Sequence, residues 1–327
     1  MKAYTWTAYG APDVLQLEER DIPQPGDNEI LIRNHATSVF AGDCELRRFS
    51  VLPAIRIPLR LFLGLRRPKR VRTLGQEFSG TVEAVGKQVT DFHPGDSVFG
   101  PTAAFGAYAE YHCLSADLAI TQKPDSIDHN SAAVLPVGGM NALYFHQLAD
   151  IRPGDKVLLV GAGGSIGPIS LQLAKREGAE VTVVDSADKL ERLRELGADH
   201  AVDYQQEPLS QHEGRYDVVF NITLHSSYAD GLRLVKPGGR LMLMNLFFWQ
   251  LVRGWFASRL TSKKVVFAMT EYQREDLNYL ANLVSSGEIK VLVDREFPFT
   301  ELPAAHAYVE SGERVGNVAV RFANQSA

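Results

Sequence analysis

A short glycine-rich stretch between two apolar segments constrains the fold of this 327-residue chain more than any other feature. Gly161-Ala-Gly-Gly-Ser-Ile-Gly167 follows Val157-Leu-Leu-Val160, a fully apolar run that is typical of a strand buried on both faces. Apolar residues then recur at spacings of three and four, at Ile166, Ile169 and Leu173, which predicts a helix. A strand, a glycine turn and a helix in this order indicate a parallel α/β sheet.

The glycine turn has the chemistry of a dinucleotide site. Without Cβ atoms, a pyrophosphate can approach the backbone N–H groups at the positive end of the following helix. The strict G-x-G-x-x-G register fails, but A-x-G-x-x-G fits through Ala162, Gly164 and Gly167. Asp185 ends the next predicted strand, where a carboxylate can bind the adenosine ribose. We therefore predict a Rossmann turn, with a tight turn that binds nothing as the alternative. The predicted cofactor-binding residues of the turn are Gly161, Ala162, Gly163, Gly164, Ser165, Ile166 and Gly167.

Charge is distributed unevenly along the chain. The formal net charge is −5, from 34 basic and 39 acidic residues. Between Glu45 and Glu77 the chain has nine bases and no acid, so the remaining residues carry −14. Phe62 is the one aromatic among the bases of residues 56–70, and nucleic-acid readers stack bases on several aromatics, so we expect no nucleic-acid partner. The nine bases are Arg47, Arg48, Arg56, Arg60, Arg66, Arg67, Lys69, Arg70 and Arg72.

Composition indicates a soluble globular protein, with 45% apolar and 22% charged residues. Two cysteines, Cys44 and Cys113, are too few for a disulfide framework or a four-cysteine zinc site, which favours the reducing cytoplasm. The first residues lack the apolar run of a signal peptide. Residues 157–174 are free of charge over the length of a membrane span, but their glycines and proline favour the turn described above.

The rhythm of the pattern changes along the chain. Short strands separated by glycine and proline turns predict a small all-β unit over the first 125 residues or so. From about His129, strands alternate with helical patterns, which predicts a doubly wound parallel sheet. The strands predicted in the first part run over residues 2–8, 14–19, 29–35, 77–85, 96–99 and 108–114, and those in the second over 157–160, 181–184, 217–222, 240–244 and 265–269.

Nearly the whole chain resembles a medium-chain dehydrogenase/reductase of the zinc-free, quinone-oxidoreductase-like branch. The resemblance is carried by the turn GAGGSIG, by GQEFSGTVEAVGKQVTDFHPGDSVFG at residues 75–100, by ELGADHAVDY at 195–204, and by FPFTELPAAHAYVESGERVGNVAV at 297–320. It implies a Rossmann domain, residues 126–270, inserted in a chaperonin-10-like (GroES-like) β-rich catalytic domain, residues 1–125 and 271–327. It also implies a homodimer whose active site, in the cleft between the domains, transfers hydride from NAD(P)H to a quinone, enone or related hydrophobic carbonyl.

The resemblance also assigns cofactor contacts. It places the nicotinamide near Ser38 and Asn141, and Asn221 and Asn245 along the ligand-binding end of the sheet. The adenosine end is expected near Asp185, Ser186, Lys189 and Tyr204. Asp185 should repel a 2′-phosphate, whereas Lys189 and Tyr204 match positions that contact the phosphate of NADPH. We expect NADH to bind at least as well as NADPH.

The residues for zinc are missing, because Phe40 and Gln76 stand where relatives have a cysteine and a histidine ligand. We therefore expect no metal, and a conjugated acceptor, which delocalises charge, suits such a site better than a simple alcohol. The candidates for help at the substrate oxygen are Ser38, Asp43 and Tyr144. The alternatives are a cofactor-binding interaction or structural protein with little catalysis, and a zinc-free alcohol or enoyl reductase.

Two segments combine arginines with large apolar side chains, residues 47–72 and residues 246–264. The favoured interpretation is that they cover the cleft and a dimer contact, burying apolar faces while the arginines reach solvent. They could instead admit a bulky hydrophobic substrate. The third interpretation is a peripheral membrane face, because a basic amphipathic surface is attracted to anionic lipid.

Overall fold

The structure, a computed structural model, describes residues 1–51, 53–103, 105–223, 228–244 and 262–323. The chain divides into two compact units, Met1–Val137 with Tyr272–Ala327, and Gly138–Glu271. The expected boundary between residues 125 and 126 lies before this division, and the domain assignment stays a prediction.

Strands dominate the first part of the chain, and strands alternate with helices in the second. The strands are β1 (Lys2–Trp6), β2 (Leu15–Glu19), β3 (Glu29–Ser38), β4 (Glu77–Val85), β5 (Ser97–Pro101), β6 (Tyr111–Ser115), β7 (Thr121–Gln122), β8 (Lys156–Val160), β9 (Glu180–Asp185), β10 (His200–Asp203), β11 (Tyr216–Asn221), β12 (Val235–Leu243), β13 (Lys264–Phe267), β14 (Val293–Pro298) and β15 (Asn317–Arg321). The helices are α1 (Ala41–Arg48), α2 (Pro53–Leu63), α3 (His129–Ala133), α4 (Pro136–Ala149), α5 (Gly167–Arg176), α6 (Ala187–Glu195), α7 (Tyr228–Leu234), α8 (Arg274–Ser285) and α9 (Leu302–Ser311).

The first unit is built from both ends of the chain. Its main sheet has the order β14-β15-β3-β4-β5-β7, with β6 also paired to β3, and β1 and β2 form a separate hairpin. β15 pairs antiparallel with β3, so that Ala319 lies opposite Ser38. Trp6, Leu74, Phe299 and Val318 pack in one buried cluster. C-terminal residues therefore complete the core of this unit.

The prediction of an all-β N-terminal unit was wrong. Helices α1 and α2 lie between β3 and β4, within the first 125 residues. Leu59 and Leu63 of α2 pack on the same buried cluster that holds the C-terminal residues. The pattern concealed α2 because Pro58 stands inside it, where a proline normally indicates the end of a helix.

The second unit is a six-stranded parallel sheet with the order β10-β9-β8-β11-β12-β13. The predicted Rossmann sheet is therefore confirmed, with β8 at its centre. β12 begins at Val235, five residues before the strand predicted over residues 240–244, and its pairing with β11 is irregular there. No helix within the described ranges is long and apolar enough to cross a membrane.

Candidate functional site

The glycine turn occupies the point of the second unit where the strand order reverses. β8 lies between β9 and β11, which is where open parallel sheets bind ligands at the carboxyl ends of their strands. Gly161 leaves β8 with a φ of 83°, a conformation that favours glycine. Helix α5 begins at Gly167, so the turn lies at the positive end of a ten-residue helix.

Two glycines of the turn have different physical roles. A Cβ at Gly167 would lie 2.0 Å from the carbonyl oxygen of Ala162, so glycine is needed for α5 to pack on the turn. A Cβ at Gly164 would meet no atom nearer than the Gly161 carbonyl oxygen, at 4.0 Å. The backbone at Gly164 therefore borders open space, and the turn fits a group that approaches closely, as a pyrophosphate does.

Asp185 connects the turn to the residues expected at the adenosine end of the cofactor. The side chain is buried, and its Oδ2 accepts a hydrogen bond of 2.7 Å from the Gly163 N–H. Its Oδ1 accepts a hydrogen bond of 2.9 Å from the Ser186 N–H and lies 3.2 Å from Lys189 Nζ. The structure thus brings Gly163, Asp185, Ser186 and Lys189 together. Tyr204 follows β10, with its side chain largely exposed and its N–H 3.3 Å from the Asp185 carbonyl oxygen.

The remaining predicted residues of the second unit lie on several elements. Asn221 ends β11 opposite Val160, beside the start of the turn. Asn141, on α4, accepts a hydrogen bond of 2.7 Å from the Thr270 hydroxyl. Tyr144, also on α4, is half-buried and packs edge-on against Phe145. Ser165 is buried in the turn and Ile166 directly precedes α5. Asn245 lies outside the described residues, as does most of residues 246–264.

In the first unit, Asp43 is a fully buried carboxylate surrounded by donors. It accepts hydrogen bonds from the Tyr108 hydroxyl at 3.1 Å and the Gly75 N–H at 3.3 Å, and the Gln76 side chain also bonds to it. Burial raises the pKa of Asp43 to about 6, although these donors oppose the rise.

Glu77 is a second buried carboxyl, which the sequence reasoning did not include among the site residues. The Ser38 hydroxyl donates to its Oε1, and the Val137 N–H donates to its Oε2 at 2.7 Å. Burial raises the pKa of Glu77 to about 8, and the nearby charge of Asp43 adds to the rise. The available signal was an acid followed directly by Phe78, Ser79 and Gly80 in a predicted strand, because an acid among small and apolar residues needs buried partners.

The two zinc-ligand positions of the resembled family carry side chains that do not fit a zinc ion. Phe40 directly precedes α1 and has no ligand atom, and the Gln76 carboxamide is hydrogen-bonded to Asp43. Within the described ranges, no three histidine, cysteine, aspartate or glutamate side chains are grouped so that they could hold a metal ion.

The sheet order and the glycine turn define a dinucleotide-binding Rossmann unit, and the chain builds a second, β-rich unit from its two ends. Residues 26–125 match the family model described as the alcohol dehydrogenase GroES-like domain, and residues 196–320 match the one described as zinc-binding dehydrogenase.

Relatives cover nearly the full chain. It is 29% identical to an NADPH-dependent alkenal/one oxidoreductase from Arabidopsis thaliana, over 98% of the chain and 79% of that protein. It is 28% identical to a quinone oxidoreductase of Pseudomonas aeruginosa, over 97% of the chain and 98% of the relative. The structure of the quinone oxidoreductase from Coxiella burnetii superposes with a TM-score of 0.85 at 28% identity, covering 98% and 99% of the two chains. The chain belongs to the medium-chain dehydrogenase/reductase superfamily, in its quinone-oxidoreductase-like branch.

Proposed function

We propose that this chain is an NAD(P)H-dependent oxidoreductase that reduces a quinone, an enone or a related carbonyl acceptor without zinc. The observation that carries this proposal is the open glycine turn at Gly164, at the positive end of α5. Relatives described as quinone oxidoreductase and as alkenal/one oxidoreductase support the acceptor class. When bound, the nicotinamide cofactor supplies the hydride, and the chain holds and orients it.

The residues for cofactor binding follow from the second unit. The N–H groups at the start of α5 would bind the pyrophosphate, and Asp185 with Ser186 would bind the adenosine ribose. Asn141, Asn221 and Asn245 remain the proposed contacts toward the nicotinamide.

The residues on the acceptor side also stay a proposal. Ser38, Asp43 and Tyr144 remain the candidates to orient or protonate the acceptor oxygen. Ser38 and Asp43 are buried, and the Ser38 hydroxyl is bonded to Glu77. When Glu77 is protonated, its O–H would donate to the Ser38 oxygen, and Ser38 would pass its own hydroxyl proton to the acceptor while taking the proton of Glu77. A conjugated acceptor needs only modest help of this kind because its developing charge is delocalised.

The test of the proposed activity is cofactor oxidation in the steady state with a small panel of quinones and enones. Turnover with at least one acceptor is expected. The second candidate function, a cofactor-binding protein with little catalysis, is favoured by Phe40, which offers no polar group where relatives have a zinc ligand. Measurable cofactor binding without turnover of any acceptor would establish that second function instead.

We propose that NADH binds at least as well as NADPH, and that Asp185 sets this preference. Asp185→Asn keeps an oxygen for the Gly163 N–H but removes the charge that would repel a 2′-phosphate. We expect the ratio of NADPH to NADH affinity to rise about tenfold, since tenfold corresponds to 1.4 kcal/mol of relieved repulsion. Fluorescence titration with both cofactors measures the ratio. Asp188→Asn, a charge removal on the exposed first turn of α6, is the matched control. A wild-type preference for NADPH of about tenfold or more would contradict this assignment.

The partners are proposed on the same basis. We expect a small hydrophobic acceptor, a homodimer and a cytoplasmic location, with free Cys44 and Cys113 consistent with a reducing compartment. Sedimentation velocity measures the oligomeric state.

A further inference from the structure

A helix of the first unit exposes large apolar side chains. On α2, Ile57 is 74% exposed and Leu61 is 66% exposed, and they lie one turn apart on the same face. Leu65, just beyond the helix, is also 66% exposed. The opposite face of α2 is buried within its own unit, because Leu59 and Leu63 pack on the buried cluster there. Exposed apolar groups of this size, gathered at one place, mark an interaction surface.

The same surface is strongly basic. Arg47 and Arg48 form ion pairs with Glu310, and Arg72 forms one with Glu18. Among the residues that the structure describes, no carboxylate pairs with the other bases of the stretch. These are Arg56, Arg60, Arg66, Arg67, Lys69 and Arg70. The surface therefore carries charge that no described carboxylate neutralises. We name residues 55–72 the α2 surface.

A groove of about 510 Å³ lies between this surface and the end of α1. It is lined by Arg48, Phe49, Arg56, Ile57, Arg60 and Leu65. The Arg60 guanidinium is held 4.1 Å above the rings of both Tyr9 and Phe49, and it donates a hydrogen bond of 2.7 Å to the Leu65 carbonyl oxygen. Three arginines around a groove with apolar walls match a phosphate group attached to a hydrocarbon chain.

Charge decides what can cover the α2 surface. A second copy of the chain meeting it about a two-fold axis would place the same unpaired bases against each other. Phe62 is the one aromatic side chain among residues 56–70, which gives nucleic-acid bases little to stack on. An anionic bilayer supplies phosphates for the arginines and an apolar boundary layer for Ile57, Leu61 and Leu65.

We propose that the α2 surface docks the chain on anionic lipid bilayers as a peripheral membrane protein. Ile57, Leu61 and Leu65 enter the boundary between headgroups and acyl chains, and the groove arginines bind lipid phosphates. The rest of the chain carries a net negative charge, so attraction to such a bilayer is confined to this face and orients the molecule. This docking does not depend on the proposed reductase activity.

The test is co-sedimentation of the purified full chain with vesicles of equimolar phosphatidylcholine and phosphatidylglycerol at low salt. We expect binding that is lost in pure phosphatidylcholine and at about 0.5 M salt, where surface charges are screened. Ile57→Asp with Leu61→Asp, and separately Arg66→Glu with Arg67→Glu, should each weaken partitioning at least about tenfold. Ile22→Asp and Lys87→Glu make the same chemical changes at exposed positions outside the α2 surface, and should partition like the wild type.

Thermal unfolding midpoints confirm that every variant is folded. Absence of vesicle binding by the wild type would overturn the proposal, as would equal binding to neutral and anionic vesicles. Sedimentation velocity without lipid tests whether a second copy of the chain covers this surface instead. If the Ile57 and Leu61 changes convert a dimer to a monomer, a second copy covers this surface and the proposal is wrong; an unchanged oligomeric state supports it.

Discussion

Replacing Gly164 with alanine is expected to weaken the binding of both NADH and NADPH at least about tenfold, a loss of 1.4 kcal/mol or more. The thermal unfolding midpoint should stay close to that of the wild type. A Cβ at this position meets no protein atom closer than 4.0 Å, so the folded chain accommodates it without strain. The methyl group instead occupies the open space at the turn, where a pyrophosphate needs to reach the backbone.

Gly167→Ala is the matched comparison within the same turn. Its Cβ would lie 2.0 Å from the Ala162 carbonyl oxygen, so α5 has to move away from the turn. We expect this variant to lower both the unfolding midpoint and the cofactor affinity, whereas Gly164→Ala lowers affinity alone. Fluorescence titration and thermal melts of the two proteins separate these effects. Wild-type affinity in Gly164→Ala would mean that the turn does not hold the cofactor.

The strand, turn and helix around Gly161 could be predicted because each depends on local chemistry. A strand buried on both faces is apolar throughout, a turn at positive φ favours glycine, and the helix repeats its apolar residues every three or four positions. The structure places β8 and α5 within a few residues of the predicted bounds. Asp185 was predicted from the same pattern and lies at the end of β9.

The helices α1 and α2 could not be predicted in this way because their burial comes from distant residues. Leu59 and Leu63 pack in a cluster with Phe299, Val318 and other residues far along the chain. A pattern read within a window of neighbouring residues contains no sign of that partner. Pro58 inside α2 adds to this, because a proline in the interior of a pattern normally indicates the end of a helix.

The contacts of the buried carboxyls are also products of the tertiary structure. Ser38 and Val137 are 39 and 60 residues from Glu77, and they meet at its carboxyl group only after β3, β4 and α4 assemble. Residue type and position selected Asp43 as a candidate, but nothing near it in the sequence indicated that Tyr108 and Gly75 would donate to it. The hydrogen bonds to Asp43 and Glu77 therefore depend on the folded structure and could not be predicted from neighbouring residues.

Glu77 has a measurable consequence for stability, because its pKa is about 8 in the folded chain and near 4.5 for the unconstrained side chain. Between these values the folded state holds a proton that the unfolded state releases. The unfolded state therefore binds fewer protons, and the free energy of unfolding falls as the pH rises through this range. Below pH 4.5 this contribution is fully present, and above about pH 8 the fall is complete.

Glu77→Gln is expected to remove most of this pH dependence and to be more stable than the wild type at about pH 8 to 9, by on the order of 3 to 5 kcal/mol. Glutamine stays neutral, its oxygen can still accept from the Val137 N–H, and its amide can donate to the Ser38 hydroxyl. Urea unfolding across this pH range measures the effect. Glu83→Gln is the control, because Glu83 lies on the same strand with its side chain about half exposed beside Arg33. That control should follow the wild-type curve across the whole pH range. If Glu77→Gln instead loses stability equally at every pH, the buried carboxyl is ionised in the folded chain, and Glu77 cannot hold the proton proposed to pass through Ser38.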